Sequence, residues 1–218
     1  MNPVFDSTAD VYDRWYDTPE GQTIFNAEMK CLQSLRGEAF EAWLEVGVGT
    51  GRFANALGIP KGIDPSPHML EIAAKRGIEV HAGNAEALPF PDESFEGILM
   101  ALTLCFVANA RQAVEECGRV LRPEGLLLLG IVPADSPWGQ SYRTKASMGH
   151  TVYTHAHFRT VAETVKPAQD AGFAMIDAAS TLFWKPGETP KAMPRLEQGI
   201  VPEAGFVGLL FTLDRSLK

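Results

Sequence analysis

Residues 44–53 read LEVGVGTGRF, a short apolar run around Glu45 that gives way to Gly47, Gly49 and Gly51 on strict alternation. Glycines are spaced like this where a backbone turns tightly and lies against a ligand. Three kinds of ligand compete for the loop: a dinucleotide, a phosphate, or another molecule with an adenosine end. The dinucleotide fingerprint places its third glycine three positions after the second, so that helix and strand pack closely beneath a pyrophosphate. Here that position is Arg52. A phosphate-binding P-loop ends in Gly-Lys-Ser/Thr, and no such run follows. Glu45 at the end of the expected strand would repel a pyrophosphate but accept a cation. It could also simply cap the short helix expected from Arg52.

Outward from the loop, residues 42–132 repeat strand, glycine turn and helix. AWLEV and KGIDP flank the short helix from Arg52, and SPHMLEIAAKRG supplies Ser66 to cap a helix, Pro67 for its first position and Gly77 to stop it. IEVHAG and FEGILMA follow as strands. NARQAVEECGRVL, residues 109–121, puts Ala113, Val114, Cys117, Val120 and Leu121 on one helical face. RPEG is a turn, and GLLLLGIV is a continuous apolar strand of the kind buried on both faces of a parallel sheet. This alternation predicts a doubly wound, mostly parallel α/β sheet.

The flanks differ in texture. The first ~36 residues read as helix, with Tyr12, Trp15 and Tyr16 crowded before Thr18-Pro19. Residues 133–157 are rich in Pro, Trp, Tyr and His and read as a structured insertion or lid. A helix is expected over 158–171, kinked or shortened by Pro167. Two late strands, about 173–184 and 205–213, are expected to pair as an antiparallel edge. The whole is expected to form a single domain: a helical cap over 1–40, a core over 41–132, the lid over 133–157 and a C-terminal helix and strands over 158–218.

Composition narrows the function. Apolar residues are 45% of the 218 and charged residues 21%, which is globular usage. The formal charge is −8 and no Lys/Arg cluster appears, so a nucleic-acid partner is not expected. LLLLGIV falls far short of the ~20 residues that cross a bilayer, so no membrane association is expected. The N-terminus is acidic and aromatic rather than signal-like. Cys31, Cys105 and Cys117 are odd in number and form no CxxC pair, which points to a reducing cytoplasm and away from a zinc site.

Asp64 ends the strand after the glycine loop, where nucleotide-binding sheets keep the acid that accepts ribose hydroxyls. A ribose acid, a cation-tolerant loop and no phosphate anchor together describe S-adenosylmethionine: an adenosine end, a sulfonium, an amino-acid tail and no phosphate. Over residues 40–132 the chain resembles the class I S-adenosylmethionine-dependent methyltransferases. EVGVGTG is similar to that family's first motif, GIDPSPHMLEIA to its second, and GNAEALPFPDESFEGILMA to the third motif and fourth strand of the small-molecule branch. ECGRVLRPEGLLLLG resembles the helix, turn and fifth strand that follow. The resemblance implies a Rossmann-like, seven-stranded sheet whose last strand is antiparallel. It also implies that Gly47, Gly49 and Gly51 pass close to the cofactor, that Asp64 accepts both ribose hydroxyls, that Met69 lies near the adenine, and that Ala85 offers its N–H to the ring. Asn84 stands where the family often has Asp, and it can still accept through its carbonyl oxygen. Pro65, Glu86 and Tyr12 complete the candidate cofactor set. Met69 reads equally well as a core residue.

For the methyl acceptor, the chain has LTLCFVAN after the fourth strand, where enzymes acting on exocyclic amines of nucleic acids carry an Asn/Asp-Pro-Pro-aromatic run. A small molecule is therefore expected. Its site is expected to be roofed by Tyr16, Trp138, Tyr142 and Tyr153, with Cys105 close by as a small core residue or a nucleophile. His150 and His155 are candidates for a general base or an acceptor-orienting group. With His157 they could instead be loop residues bonded to backbone, or metal ligands, although no carboxylate or Cys completes a familiar spacing and no metal is expected. The N-terminal and insertion stretches are similar to an uncharacterised bacterial and archaeal group within the family. Methyl transfer by in-line displacement is the expected activity. A cofactor-binding or regulatory protein without turnover is the alternative, and either would act as a monomer or homodimer.

Overall fold

The structure is a computed structural model that describes residues 3–37, 42–188, 190 and 194–214. The expected boundary between cap and core at 40–41 lies outside these residues. The chain opens with two helices, α1 (Pro3–Trp15) and α2 (Pro19–Arg36), broken at Thr18, whose side chain caps α2 by accepting from Gly21 N–H. The alternating core follows: β1 (Trp43–Val46), α3 (Arg52–Leu57), β2 (Lys61–Asp64), α4 (Pro67–Lys75), β3 (Glu79–Ala82), β4 (Phe95–Ala101), α5 (Ala110–Val120) and β5 (Leu121–Ile131). Ser66 caps α4 by accepting from Met69 N–H and Pro67 takes its first position, as the sequence predicts. The insertion folds as α6 (Pro137–Ser147) and a single 3-10 turn at Tyr153–His155. After it come α7 (Val161–Asp170), β6 (Phe173–Thr181), β7 (Glu197–Gln198) and β8 (Phe206–Leu213).

The strands form one sheet in the order β3-β2-β1-β4-β5-β8-β6-β7. The first five run parallel. β8 is antiparallel to both β5 and β6. The late strands therefore do pair, but the last strand of the chain slots inside the sheet rather than at its edge. There are eight strands among the described residues, not seven. The extra one is β7, two residues that pair only with Ala179 and Ser180 at the rim of β6. The expected RPEG turn lies within β5 as a register shift against β4, with Glu124 at φ +63°. Pro167 sits inside α7, whose 10 residues begin at a capping box between Thr160 and Glu163.

Helices cover both faces of the sheet. Ala113, Val114 and Cys117 of α5 and Ala168 of α7 close one side, where Leu127 and Leu129 of β5 point. Cys31, Leu32 and Leu35 of α2, with Phe53 of α3 and Trp138 of α6, close the other, where Leu128 points. Alternate leucines of one strand thus feed opposite cores, and all three are sealed from solvent. β1 and β4 are neighbours, and the chain leaves them in opposite directions across the sheet. That reversal opens a crevice at their carboxyl ends, the usual ligand position in such sheets.

Candidate active site

The loop after β1 forms one wall of the crevice. Gly49 has φ +51°, and a Cβ there would meet nothing within 4 Å, so its face is open. Gly47 and Gly51 are glycines for another reason. A Cβ at Gly47 would collide with the Thr103 side chain, and one at Gly51 with Ile78. Thr103, just past β4, donates to the Gly47 carbonyl (3.2 Å), which ties the two loops flanking the crevice together. Asp64 braces the same loop from β2: one oxygen accepts from Gly49 N–H (3.0 Å) and the other from Ser66 N–H (2.9 Å). Burial raises its pKa against those two bonds. Glu45 is sealed near the end of β1, with the Ala54 N–H of α3 close to its carboxyl. Its Oε2 has no hydrogen-bond partner. Burial holds its pKa well above the carboxylate range, with the charge of Asp64 adding to the effect.

α1 lies against this wall like a clasp. Asp6 accepts from Ser66 Oγ (2.9 Å) and His68 N–H (3.0 Å) at the start of α4. Asp13 accepts from Arg52 (2.8 Å) and from Arg76 (2.9 Å). Burial opposes its ionisation, but bonds from Arg52, Thr50 and Arg76 hold its pKa at about 2. Arg52, which stands where a dinucleotide site needs glycine, is thus one of the residues that anchor the N-terminal helix.

Beyond Thr103 a cavity of about 750 Å³ opens under α1, α2, α6 and the 150–159 segment, within the size range of small-molecule sites. Its lining brings together Tyr16, Trp138, Tyr142, Tyr153, His150 and Cys105. Tyr142 and Tyr153 stack at 4.5 Å, and His150 stacks on Tyr153 at 4.4 Å. Tyr12 also lines it, its hydroxyl 3.0 Å from that of Tyr16, so this candidate cofactor residue lies in the aromatic cavity. Leu102, at the seam between crevice and cavity, is held at φ +55° by its N–H bond to Gly130 O (2.8 Å). Non-glycine residues kept in that region cluster at functional sites.

Several expected residues serve otherwise. His155 is exposed and not part of the cavity lining, whereas His157 is part of it. His150 Nδ1 accepts from the backbone of Val152 (3.3 Å) and Tyr153 (3.4 Å). That leaves only its other nitrogen free for chemistry. Among the described residues no cluster of three or more His, Cys, Asp or Glu could hold a metal. Burial pushes the Cys105 thiol up to about 12, so it is not a thiolate nucleophile at neutral pH. Trp138 is 2% exposed and donates to Trp184 O (2.6 Å), which makes it a structural anchor with one edge on the cavity. Met69 is 1% exposed, as the core alternative requires. Pro65 is half-buried beside Asp64, and Asn84 is exposed. Ala85 packs partly against the core, and Glu86 spends one oxygen on the N–H groups of Ala108 and Asn109 ahead of α5.

Two features were not anticipated. One is the Asp13 clasp, which depends on docking between segments far apart in sequence. The other is Glu28, buried in α2 and facing the cavity. Its signal was visible, since an acid falls on the same helical stripe as Ile24, Cys31 and Leu35.

The crevice fits an S-adenosyl group. It offers an open glycine face, the Asp64 carboxylate at the end of the next strand, and an arginine turned away into the clasp. Comparison with known proteins agrees. Residues 44–129 match the methyltransferase domain family. The chain is 39% identical to an uncharacterised protein of Mycobacterium tuberculosis over 92% of its own length and 70% of that protein. It is 37% identical to a demethylmenaquinone methyltransferase of Chlorobaculum parvum over 45% of this chain and 44% of that one. A crystal structure from Thermotoga maritima, described as a SAM-dependent methyltransferase and possible histamine N-methyltransferase, superposes with a TM-score of 0.90. It is 34% identical and covers 98% of this chain and all of that one. The chain belongs to the S-adenosylmethionine-dependent methyltransferases, and S-adenosylmethionine is its cofactor.

Proposed function

We propose that the chain methylates a small-molecule acceptor held in the aromatic cavity, by in-line displacement. The observation that carries this reading is the position of the cavity: it opens one residue beyond the contact between Thr103 and the glycine loop. The names of the Thermotoga and Chlorobaculum relatives, which refer to small-molecule acceptors, support it. S-adenosylmethionine supplies, when bound, a methyl group already activated by its sulfonium. The chain's own task is alignment and exclusion of water. In this reading the open face at Gly49 receives the cofactor, and Asp64 holds its ribose hydroxyls through the lone pairs left by Gly49 and Ser66. The Asn84–Glu86 turn supplies backbone groups to the base. Tyr12, Tyr16, Tyr142 and Tyr153 wall in the acceptor, with α6 and residues 150–157 as the lid and His150 to orient the acceptor. The chain acts as a single domain, monomeric or homodimeric, and the lack of a nucleic-acid partner in this reading accords with the −8 charge. A cytoplasmic setting accords with three unpaired cysteines and with no described helix long and apolar enough to cross a membrane.

Calorimetry followed by a turnover assay tests the reading. S-adenosylmethionine and its demethylated product should bind at micromolar level while NAD does not. A panel of small acceptors should drive release of S-adenosylhomocysteine. Binding of NAD alone, or methylation confined to nucleic acid or protein, would overturn it.

A further inference from the structure

Glu28 lies on the face of α2 that packs inward, among Ile24, Ala27, Cys31 and Leu32. It is 3% exposed, and its Oε2 is sealed from solvent without a hydrogen-bond partner. Four basic residues line the cavity, Lys145, His150, His157 and Arg159, and none bonds to Glu28 Oε2. Lys145 stands over the Tyr142 ring at 5.5 Å, and Arg159 donates to the carbonyls of Leu104 (2.9 Å) and His157 (3.2 Å). A buried carboxyl with no partner is costly to the fold, and where one persists in a cleft a ligand is the natural complement. The titratable groups around it are Tyr12 and Tyr16 of α1, Cys31 of α2, Tyr142 of α6 and Tyr153, with Glu20 near the mouth. None of these brings a positive charge.

We propose that Glu28 is the specificity-determining carboxylate of the cavity, and that it selects an acceptor with a basic nitrogen, an amine or imidazole held as a cation between the carboxylate and the tyrosine rings. The proposal rests on the methyl-transfer reading above and names the acceptor class of the same site. Aromatic faces attract cations, and the Tyr142 ring already lies beneath one, the Lys145 ammonium. An acidic acceptor would meet both Glu28 and Glu20. An apolar one would leave Oε2 without a partner.

Proton release gives a readout that a packing role would not move. Burial pushes Glu28 up to about 8, so near pH 7 the free protein keeps that proton and a bound cation displaces it. The test is calorimetry of the full chain at about pH 7, saturated with S-adenosylhomocysteine, in two buffers of different ionisation enthalpy. The probes are phenethylamine and imidazolyl-ethylamine, against phenethyl alcohol and phenylpropionate. The amines should bind at least ~10-fold more tightly than the other two and release about one proton each. Glu28→Gln should keep S-adenosylhomocysteine affinity and still unfold in one cooperative transition, yet lose both the preference and the proton release. The proposal is overturned if the amines fail to bind, bind no better than the alcohol or acid, release no proton in the wild type, or bind Glu28→Gln unchanged. If S-adenosylhomocysteine itself fails to bind, the methyl-transfer reading falls, and this proposal with it. If it binds and only the amine preference is missing, the reading stands and Glu28 alone is misassigned.

Discussion

In the proposed reading Asp64 has two tasks, because its carboxylate accepts from Gly49 and Ser66 before any ligand arrives. An ionised carboxylate offers about four lone-pair sites, so two remain for a ribose diol. Hydrogen bonds to a charged group contribute about 1.5–3 kcal/mol each. Asp64→Ala should therefore weaken S-adenosylhomocysteine binding at least ~10-fold by calorimetry. It should also lower the melting temperature, since two backbone N–H groups lose their acceptor. Unchanged affinity would place the ribose elsewhere. Asp64 and Gly49 were legible in the sequence because strand ends and glycine loops declare themselves by local pattern. Asp13 was not, since its value lies in Arg52 and Arg76, which only the folded chain brings to it.

At the level of elements, α1 and α6 both line the cavity, and each is held by identifiable contacts. Asp13→Ala would leave the part-buried guanidiniums of Arg52 and Arg76 without their shared carboxylate, at a cost of about 1–3 kcal/mol. α1 should then be cleaved faster in limited proteolysis and cofactor affinity should fall several-fold. Proteolysis at the wild-type rate would mean that the clasp does not hold α1. α6 depends on Trp138, which rests on Gly205, where an added Cβ would strike the indole. Gly205→Ala should displace α6, cost about 1–3 kcal/mol of stability in a denaturant titration, and raise the acceptor KM far more than the cofactor Kd. Equal rises in both would put α6 outside the acceptor site. The core strands and their helices were legible because apolar runs, caps and glycine stops agree there. The placement of β8 inside the sheet was not, because an all-buried strand carries no mark of its neighbours. β7 is too short to leave a pattern at all.

Across the whole molecule, the ionisation of the site sets how stability responds to pH. Burial raises the pKa of Glu28 to about 8 and that of Glu45 and Asp64 above their ordinary values. The folded chain therefore binds protons that the unfolded chain has released, and stability falls as pH rises from about 4.5 through about 8. Asp13 works in the opposite sense: its lowered pKa stabilises the fold above the ordinary carboxylate value, and that contribution fades as pH drops towards about 2. Cofactor-free protein should melt progressively lower from pH 5 to 8, roughly the window those shifts define. Glu28→Gln should flatten that decline, with Glu45 leaving a residual slope. A melting temperature that rises across this interval would contradict the buried, unpaired state of these carboxyls. The central claim is that the glycine-loop crevice and the aromatic cavity are two halves of one site, and a crystal structure with S-adenosylhomocysteine tests it most directly. The ribose should lie on Asp64 and the sulfur should face Leu102 and Cys105, pointing into the space between Tyr12 and Tyr142. A sulfur more than about 10 Å from those rings, well beyond contact distance, would contradict it.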